Sequence, residues 1–68
     1  MAEGLANRLR ERRAERDLTQ AALAEAVGVS RKTINTVENG VFTPSVTLAL
    51  KVARALGCAV GDLFSLDD

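Results

Sequence analysis

The sequence predicts an all-α fold in which five short helices pack into one compact bundle. Segments rich in Ala, Leu and Val, with apolar positions at helical spacing, alternate with turn signals at Asp17, Gly28, Asn39-Gly40, Thr43-Pro44 and Gly57. Only two of the 68 residues are Phe and none is Trp or Tyr. The core must therefore consist of many small aliphatic contacts, which short helices in close contact provide. A chain of this length supports one domain, 1–68.

The turn signals set the bounds of the predicted helices, which cover residues 5–16, 20–27, 31–38, 45–56 and 60–64. The apolar anchors of the first are Leu5, Ala6 and Leu9. The fourth has few polar residues, so we expect it to be the most buried. The last lacks a good N-cap at Ala59 and contains Gly61, and we expect it to fray.

The second and third helices have the apolar spacing of two helices that cross around a tight turn. The positions that carry this pattern are Gln20, Leu23, Ala24, Val27, Gly28, Val29, Ile34 and Val37. Thr19 and Ser30 can cap the two helices, and Gly28 stands where the chain must reverse and a positive φ is favoured. A helix-turn-helix over 19–40 is therefore predicted.

The third helix has one apolar and one polar side. At about 100° per residue, Ile34 and Val37 share one side, and the opposite side gathers Arg31, Lys32, Asn35, Thr36 and Asn39. These polar side chains can contact base edges or phosphates. Residues 28–54 carry a net charge of +3 and residues 55–68 one of −3, so the zero net charge conceals a positive and a negative segment.

Several classes of function are disfavoured by composition. With one Cys and no His, the chain cannot supply a Cys/His zinc site or a histidine-based triad. No catalytic, cofactor or metal site is therefore predicted, and the chain is not expected to be an enzyme. No apolar run approaches the roughly 20 residues that cross a bilayer, so no membrane association and a cytoplasmic location are expected.

Two stretches, LTQAALAEAVGVSRKTINTVENG and TPSVTLALKVARALG, resemble the XRE-type helix-turn-helix family of the phage repressors and Cro. The resemblance runs from about Leu9 to Phe64 and implies a lambda-repressor-like DNA-binding domain, with residues 31–38 in the major groove of double-stranded DNA. Asp17 replaces the usual glycine, and Val41 stands where a basic residue is common.

The resemblance also implies roles for single residues. The candidates for reading bases are Arg31, Lys32, Asn35 and Thr36. The candidates for contacting phosphates are Thr19, Gln20, Asn39 and Gly40. Arg13 and Glu38 match the positions of a structural ion pair.

Two hypotheses of different class follow. In the first, a homodimer binds a palindromic operator and regulates transcription, with Leu63, Phe64, Leu66 and part of the fourth helix as the candidate interface. The same residues could instead close the core of a monomer. In the second, the helix-turn-helix is the scaffold of an antitoxin-like module that binds a protein partner. Zero net charge and the acidic end, 62–68, favour this alternative.

Overall fold

The computed structural model describes residues 4–67. The described chain forms β1 (Gly4–Asn7), α1 (Leu9–Glu15), α2 (Gln20–Val27), α3 (Arg31–Glu38), α4 (Val46–Leu56), α5 (Val60–Leu63) and β2 (Phe64–Asp67). The predicted compact fold of five short helices is confirmed. The side chain of Asp67 and all of Asp68, which belong to the predicted acidic end, lie outside the described residues. None of the helices within residues 4–67 has the length and apolarity that crossing a membrane requires.

Three helices begin at the same kind of cap. The hydroxyl oxygens of Thr19, Ser30 and Ser45 accept hydrogen bonds of 3.0, 3.1 and 3.0 Å from backbone N–H groups three residues further on, at the starts of α2, α3 and α4. Each cap satisfies a donor that the helix leaves unpaired and contributes about 1 kcal/mol. Because these signals are local, the bounds of α2 and α3 agree with the sequence prediction.

Glycine ends two of these helices. Gly28 and Gly57 adopt φ values of 78° and 68° at the ends of α2 and α4, in the left-handed region that disfavours a Cβ. Asp17, between α1 and α2, is also left-handed, with φ 55°.

The core lies where all five helices meet. Its fully buried large side chains come one each from α1, α2, α3 and α5, and they are Leu9, Leu23, Ile34 and Leu63. α4 contributes the largest number of buried residues, which are Leu48, Ala49, Val52, Ala53 and Leu56. This distribution agrees with the expectation that the fourth helix is the most buried.

The first predicted helix was wrong at its beginning. It was expected from residue 5, but residues 4–7 form β1, which pairs antiparallel with β2 so that Leu5 faces Leu66 and Asn7 faces Phe64. Leu5 and Ala6 are therefore strand residues and not helix anchors, whereas Leu9 is buried as predicted.

Asn7 explains why the helix starts late. Its Oδ1 accepts from the backbone N–H of Leu9 at 3.1 Å, and its Nδ2 donates to the backbone oxygen of Val37 at 3.1 Å. The N–H of Arg8 donates to the oxygen of Leu63 at 2.8 Å. The groups before α1 thus bind other parts of the fold, and β1 holds the end of α3.

Candidate nucleic-acid interface

The turn between α2 and α3 fixes how the two helices cross. Backbone N–H groups of Gly28 and Val29 donate to the oxygen of Ala24 at 2.9 and 3.0 Å, which closes the end of α2. Ala24 itself is buried, so the helices approach closely at this small side chain. Ser30 then caps α3 immediately, and α3 leaves the turn with a defined orientation.

The outer face of α3 carries three of the four predicted base-reading side chains. Arg31, Lys32 and Asn35 are exposed and line one shallow depression. Thr36 is half-buried, and its hydroxyl donates to the backbone oxygen of Thr33 at 2.9 Å. Its proton is therefore already used, and the methyl group and the oxygen lone pairs are what Thr36 can offer to a ligand.

At one end of this face, the start of α2 forms a hollow with donors around it. Thr19, Gln20 and Ala21 line it together with Arg13 and Arg31. The Thr19 oxygen accepts from the N–H of Ala22, and within residues 4–67 the first-turn N–H groups of Gln20 and Ala21 have no partner in their own helix. Two helix-terminal donors and the exposed guanidinium group of Arg31 make this hollow suited to an anion.

At the other end, Asn39 and Gly40 are exposed but their backbone donors are occupied. The N–H of Asn39 donates to the oxygen of Asn35 at 3.0 Å, and that of Gly40 to the oxygen of Val37 at 3.1 Å. A phosphate contact at this end therefore requires the Asn39 side chain. A second hollow beside α3 is lined by Thr33 and Phe42 together with Ser45, Thr47 and Lys51, three residues for which the sequence predicts no role.

The structure brings Arg13 and Glu38 together below this surface. Arg13 Nε lies 2.7 Å from Glu38 Oε2, and a second Arg13 nitrogen, Nη1, donates to the Leu18 oxygen at 2.7 Å. The Glu38 side chain has no exposed surface, and that of Arg13 is 16% exposed. Burial raises the pKa of Glu38, but the hydrogen bonds from Arg13 and Gln20 and the charge of Arg13 outweigh it. The pKa is therefore below its ordinary value.

Gln20, a predicted phosphate contact, belongs to this buried group. Its Nε2 donates to Glu38 Oε1 at 3.1 Å, and its Oε1 accepts from Asn35 Nδ2 at 3.4 Å. Asn35 Oδ1 in turn accepts from Asn39 Nδ2 at 3.2 Å. Two predicted phosphate contacts and one predicted base reader are thus joined by side-chain amides.

Arg10, for which the sequence predicted no role, completes a ring of side-chain contacts. Arg10 Nη2 donates to Asn39 Oδ1 at 2.9 Å, and Arg10 Nε lies 3.4 Å from Glu38 Oε1. The ring therefore comprises Arg10, Asn39, Asn35, Gln20 and Glu38. The signal that could have found Arg10 is its spacing: it precedes Arg13 by three residues and shares a face of α1 with it.

Comparisons with known proteins agree with this geometry. Residues 9–63 match the family described as helix-turn-helix. The chain is 51% identical over 61 residues to an uncharacterized HTH-type transcriptional regulator of Methanothermobacter thermautotrophicus, covering 88% of each chain. It is 32% identical to the transcriptional repressor RstR of the cryptic phage CTXphi in Vibrio cholerae, over 87% of this chain and 53% of the repressor.

Among solved structures, the restriction-modification controller protein C.AhdI of Aeromonas hydrophila superposes with a TM-score of 0.78 at 36% identity, over 81% of this chain and 83% of that one. Because the family and these relatives are regulators, the prediction that the chain is not an enzyme is confirmed. Within residues 4–67, no group of three or more His, Cys, Asp or Glu side chains could hold a metal ion. The chain belongs to the helix-turn-helix family of DNA-binding transcriptional regulators.

Proposed function

We propose that the protein regulates transcription by placing α3 in the major groove of double-stranded DNA and reading base edges with Arg31, Lys32 and Asn35. The observation that carries the proposal is the two-sided character of α3: Ile34 and Val37 are buried in the core, and the three candidate readers share the exposed face. A helix held by its apolar side and lined with donors on the other fits the major groove.

Each side chain has a distinct chemical part in this proposal. Arg31 and Lys32 donate to guanine O6 and N7, and Asn35 pairs with adenine N6 and N7. Thr36 contacts the methyl group of thymine, because its hydroxyl proton is bound within α3. Thr19 and the N–H groups that open α2 bind a phosphate at one end.

At the end of α3, the side chain of Asn39 positions the protein on the second DNA strand. The Asn39 side chain donates to a phosphate there, beside the glycine turn at Gly40, whose own N–H is occupied by Val37. Such contacts fix the register of α3 without reading sequence. The site is thus divided into a central reading face and two flanking positioning groups, and the proposed location of the protein is the cytoplasm.

The proposed assembly is a homodimer on a palindromic operator, because one module of this size contacts few base pairs. Leu63 is 1% exposed, so it belongs to the core and is not available to an interface. Leu66 is 61% exposed and faces the partly exposed Leu5 across the sheet, so this leucine pair replaces Leu63 in the proposed contact. The domain measures 35 × 21 × 20 Å, so two copies side by side can present α3 to major-groove faces about 34 Å apart.

A selection from random double-stranded DNA at about 150 mM salt, followed by sequencing of the bound fraction, tests the function. The proposal expects a two-fold symmetric motif with half-sites about ten base pairs apart. A single asymmetric half-site would contradict the dimer but not the reading of DNA. No enrichment would contradict DNA reading and favour the second candidate, a module that binds a protein partner, for which the exposed apolar pair Val41 and Phe42 next to α3 is the supporting observation.

Role assignments are tested on the selected DNA. Replacing Arg31 by Ala should relax the preference at one base step by about 1–3 kcal/mol. Replacing Asn39 by Ala should weaken binding to every sequence, because it removes a proposed phosphate contact. Arg54→Ala removes one positive charge from α4, at a position to which no DNA contact is assigned, and serves as the control. Equal losses across sequences for Arg31→Ala would refute its role as a reader.

A further inference from the structure

Arg10 lies on α1, outside the helix-turn-helix, yet it binds two residues at the end of α3. Its Nη2 donates to Asn39 Oδ1 at 2.9 Å, and its Nε is 3.4 Å from Glu38 Oε1. The side chain is 63% exposed and takes no part in the core. Its position is therefore set by these two polar contacts.

The hydrogen bonds through the three amides of this ring are all donated in the same sense, from Arg10 towards Glu38. A guanidinium group can only donate hydrogen bonds and a carboxylate can only accept them. Asn39 must therefore turn its oxygen to Arg10 and its NH2 group to Asn35, and Asn35 must turn its oxygen to Asn39 and its NH2 group to Gln20.

Gln20 then turns its NH2 group to Glu38. Turning any one of the three amides over would set donor against donor at one contact and acceptor against acceptor at the next. The two charged ends thus fix the orientation of every amide between them, although Asn35 and Asn39 are exposed.

The consequence falls on Asn35, the middle amide. One of its two N–H donors points to Gln20 and one oxygen lone pair to Asn39, which leaves one N–H and one lone pair for a base. A bidentate pair with adenine needs the N–H at N7 and the oxygen at the N6 amino group. Which side of the Asn35 amide carries the oxygen and which carries the NH2 group therefore decides in which of its two orientations an A·T base pair can bind.

We propose that Arg10 is a positioning residue that sets the base preference of Asn35 through Asn39. The inference rests on the proposed function, because it requires Asn35 to read a base. Without Arg10, the orientation of Asn39 is set only by its contact with Asn35, and the Asn35 amide is held from the Gln20 side alone. Discrimination at the base pair under Asn35 then falls, while discrimination by Arg31 and Lys32 stays.

The test measures competition binding to the selected DNA with all four base pairs at each half-site position, for the wild type and the variants Asn35→Ala, Arg10→Ala and Arg10→Lys. Asn35→Ala identifies the position that Asn35 reads. Arg10→Ala should lose about two- to tenfold of the discrimination at that same position, since fixing one side chain contributes that much to binding. Arg10→Lys, which is also only a donor, should recover part of it.

Arg12→Ala is the matched control. Arg12 is on the same helix, about 160° around its axis from Arg10, and pairs with Glu15 at 3.6 Å. Arg12→Ala removes the same charge as Arg10→Ala and should leave base discrimination unchanged at every position. Side-chain amide NMR signals of the free protein provide a second measurement: those of Asn35 and Asn39 should shift in Arg10→Ala and not in Arg12→Ala.

The outcomes separate the inference from the proposed function. A uniform loss for Arg10→Ala across all sequences, with a salt dependence smaller by about one charge, would make Arg10 a phosphate contact and overturn its positioning role. If Asn35→Ala changes the base preference at no position of the selected DNA, the reading role of Asn35 is refuted. The positioning role of Arg10 is then refuted with it, while Arg31 and Lys32 remain as readers. Failure to select any DNA would instead refute the proposed function itself.

Discussion

Replacing Glu38 by Ala should destabilise the protein more than any substitution of an exposed charge. The Glu38 carboxylate has no exposed surface and accepts hydrogen bonds from Arg13, Gln20 and Arg10. Its removal leaves the guanidinium of Arg13, which is 16% exposed, with one remaining partner, the oxygen of Leu18. Breaking a buried pair from one side costs about 3–5 kcal/mol, and the remaining contact and partial exposure of Arg13 place the expected loss near the lower value, about 3 kcal/mol.

The assay is thermal and urea unfolding at pH 7. A loss of about 3 kcal/mol corresponds to a fall in Tm of roughly 12–24 °C for a domain of this size, and it approaches the whole free energy of unfolding, about 3–10 kcal/mol. Glu15→Ala is the matched control, because Glu15 is 65% exposed and pairs with Arg12 at 3.6 Å; it should cost less than about 1 kcal/mol. Equal Tm values for the two variants would refute the reasoning.

Two further predictions concern acid and backbone conformation. Because the pKa of Glu38 is lowered in the folded state, its contribution is complete above the unfolded pKa, about 4.3, and is lost as the pH falls through the lower folded-state pKa. Urea unfolding between pH 6 and pH 3 should therefore show a shallower dependence on pH in Glu38→Gln than in the wild type, and parallel curves would contradict the pKa shift. Gly28→Ala and Gly57→Ala should each cost about 1–2 kcal/mol, because both positions are left-handed. The added Cβ meets open space at Gly28 and the flexible end of Arg16 at Gly57. A much larger loss of Tm for Gly57→Ala would show that Arg16 cannot move.

The middle of the fold could be predicted from the sequence because its signals are local. Thr19 and Ser30 each stand directly before an apolar helical pattern, and their hydroxyls bind within one turn of the chain. Gly28 marks the end of α2 for an equally local reason, its positive φ. These residues determine α2 and α3 before any tertiary contact is considered, so the predicted bounds agree with the structure.

The start of the fold could not be predicted in this way. Residues 5 and 6 have the apolar spacing of a helix, and nothing nearby contradicts it. Their strand conformation depends on Leu66 and Ser65, at the far end of the sequence, and on Asn7, which binds Leu9 and Val37 at once. Such pairing becomes visible only when the two ends of the described chain are brought together.

The candidate site likewise contains residues that the sequence predicts and residues that depend on tertiary packing. The polar face of α3 follows from helical periodicity alone, and the family resemblance points to Arg13 and Glu38. The predicted role of Gln20 was incomplete, because its amide binds the buried carboxylate of Glu38 as well as facing the surface. Arg10 was missed altogether, since its contacts with Asn39 depend on how α1 packs against α3.

The two strands form a hairpin that lacks its turn. Gly4 faces Asp67 in register, so a two-residue Asn-Gly connection between these positions would complete an ordinary β-hairpin. In the natural order, almost the whole chain must be closed into a loop before the strands can meet, and the entropy of that closure opposes their pairing. A circular permutant joined at this point and opened between α4 and α5 would make the most distant contacts of the protein its most local ones. The strands of the permutant would pair early in folding, whereas those of the natural chain would pair only after the helices have assembled.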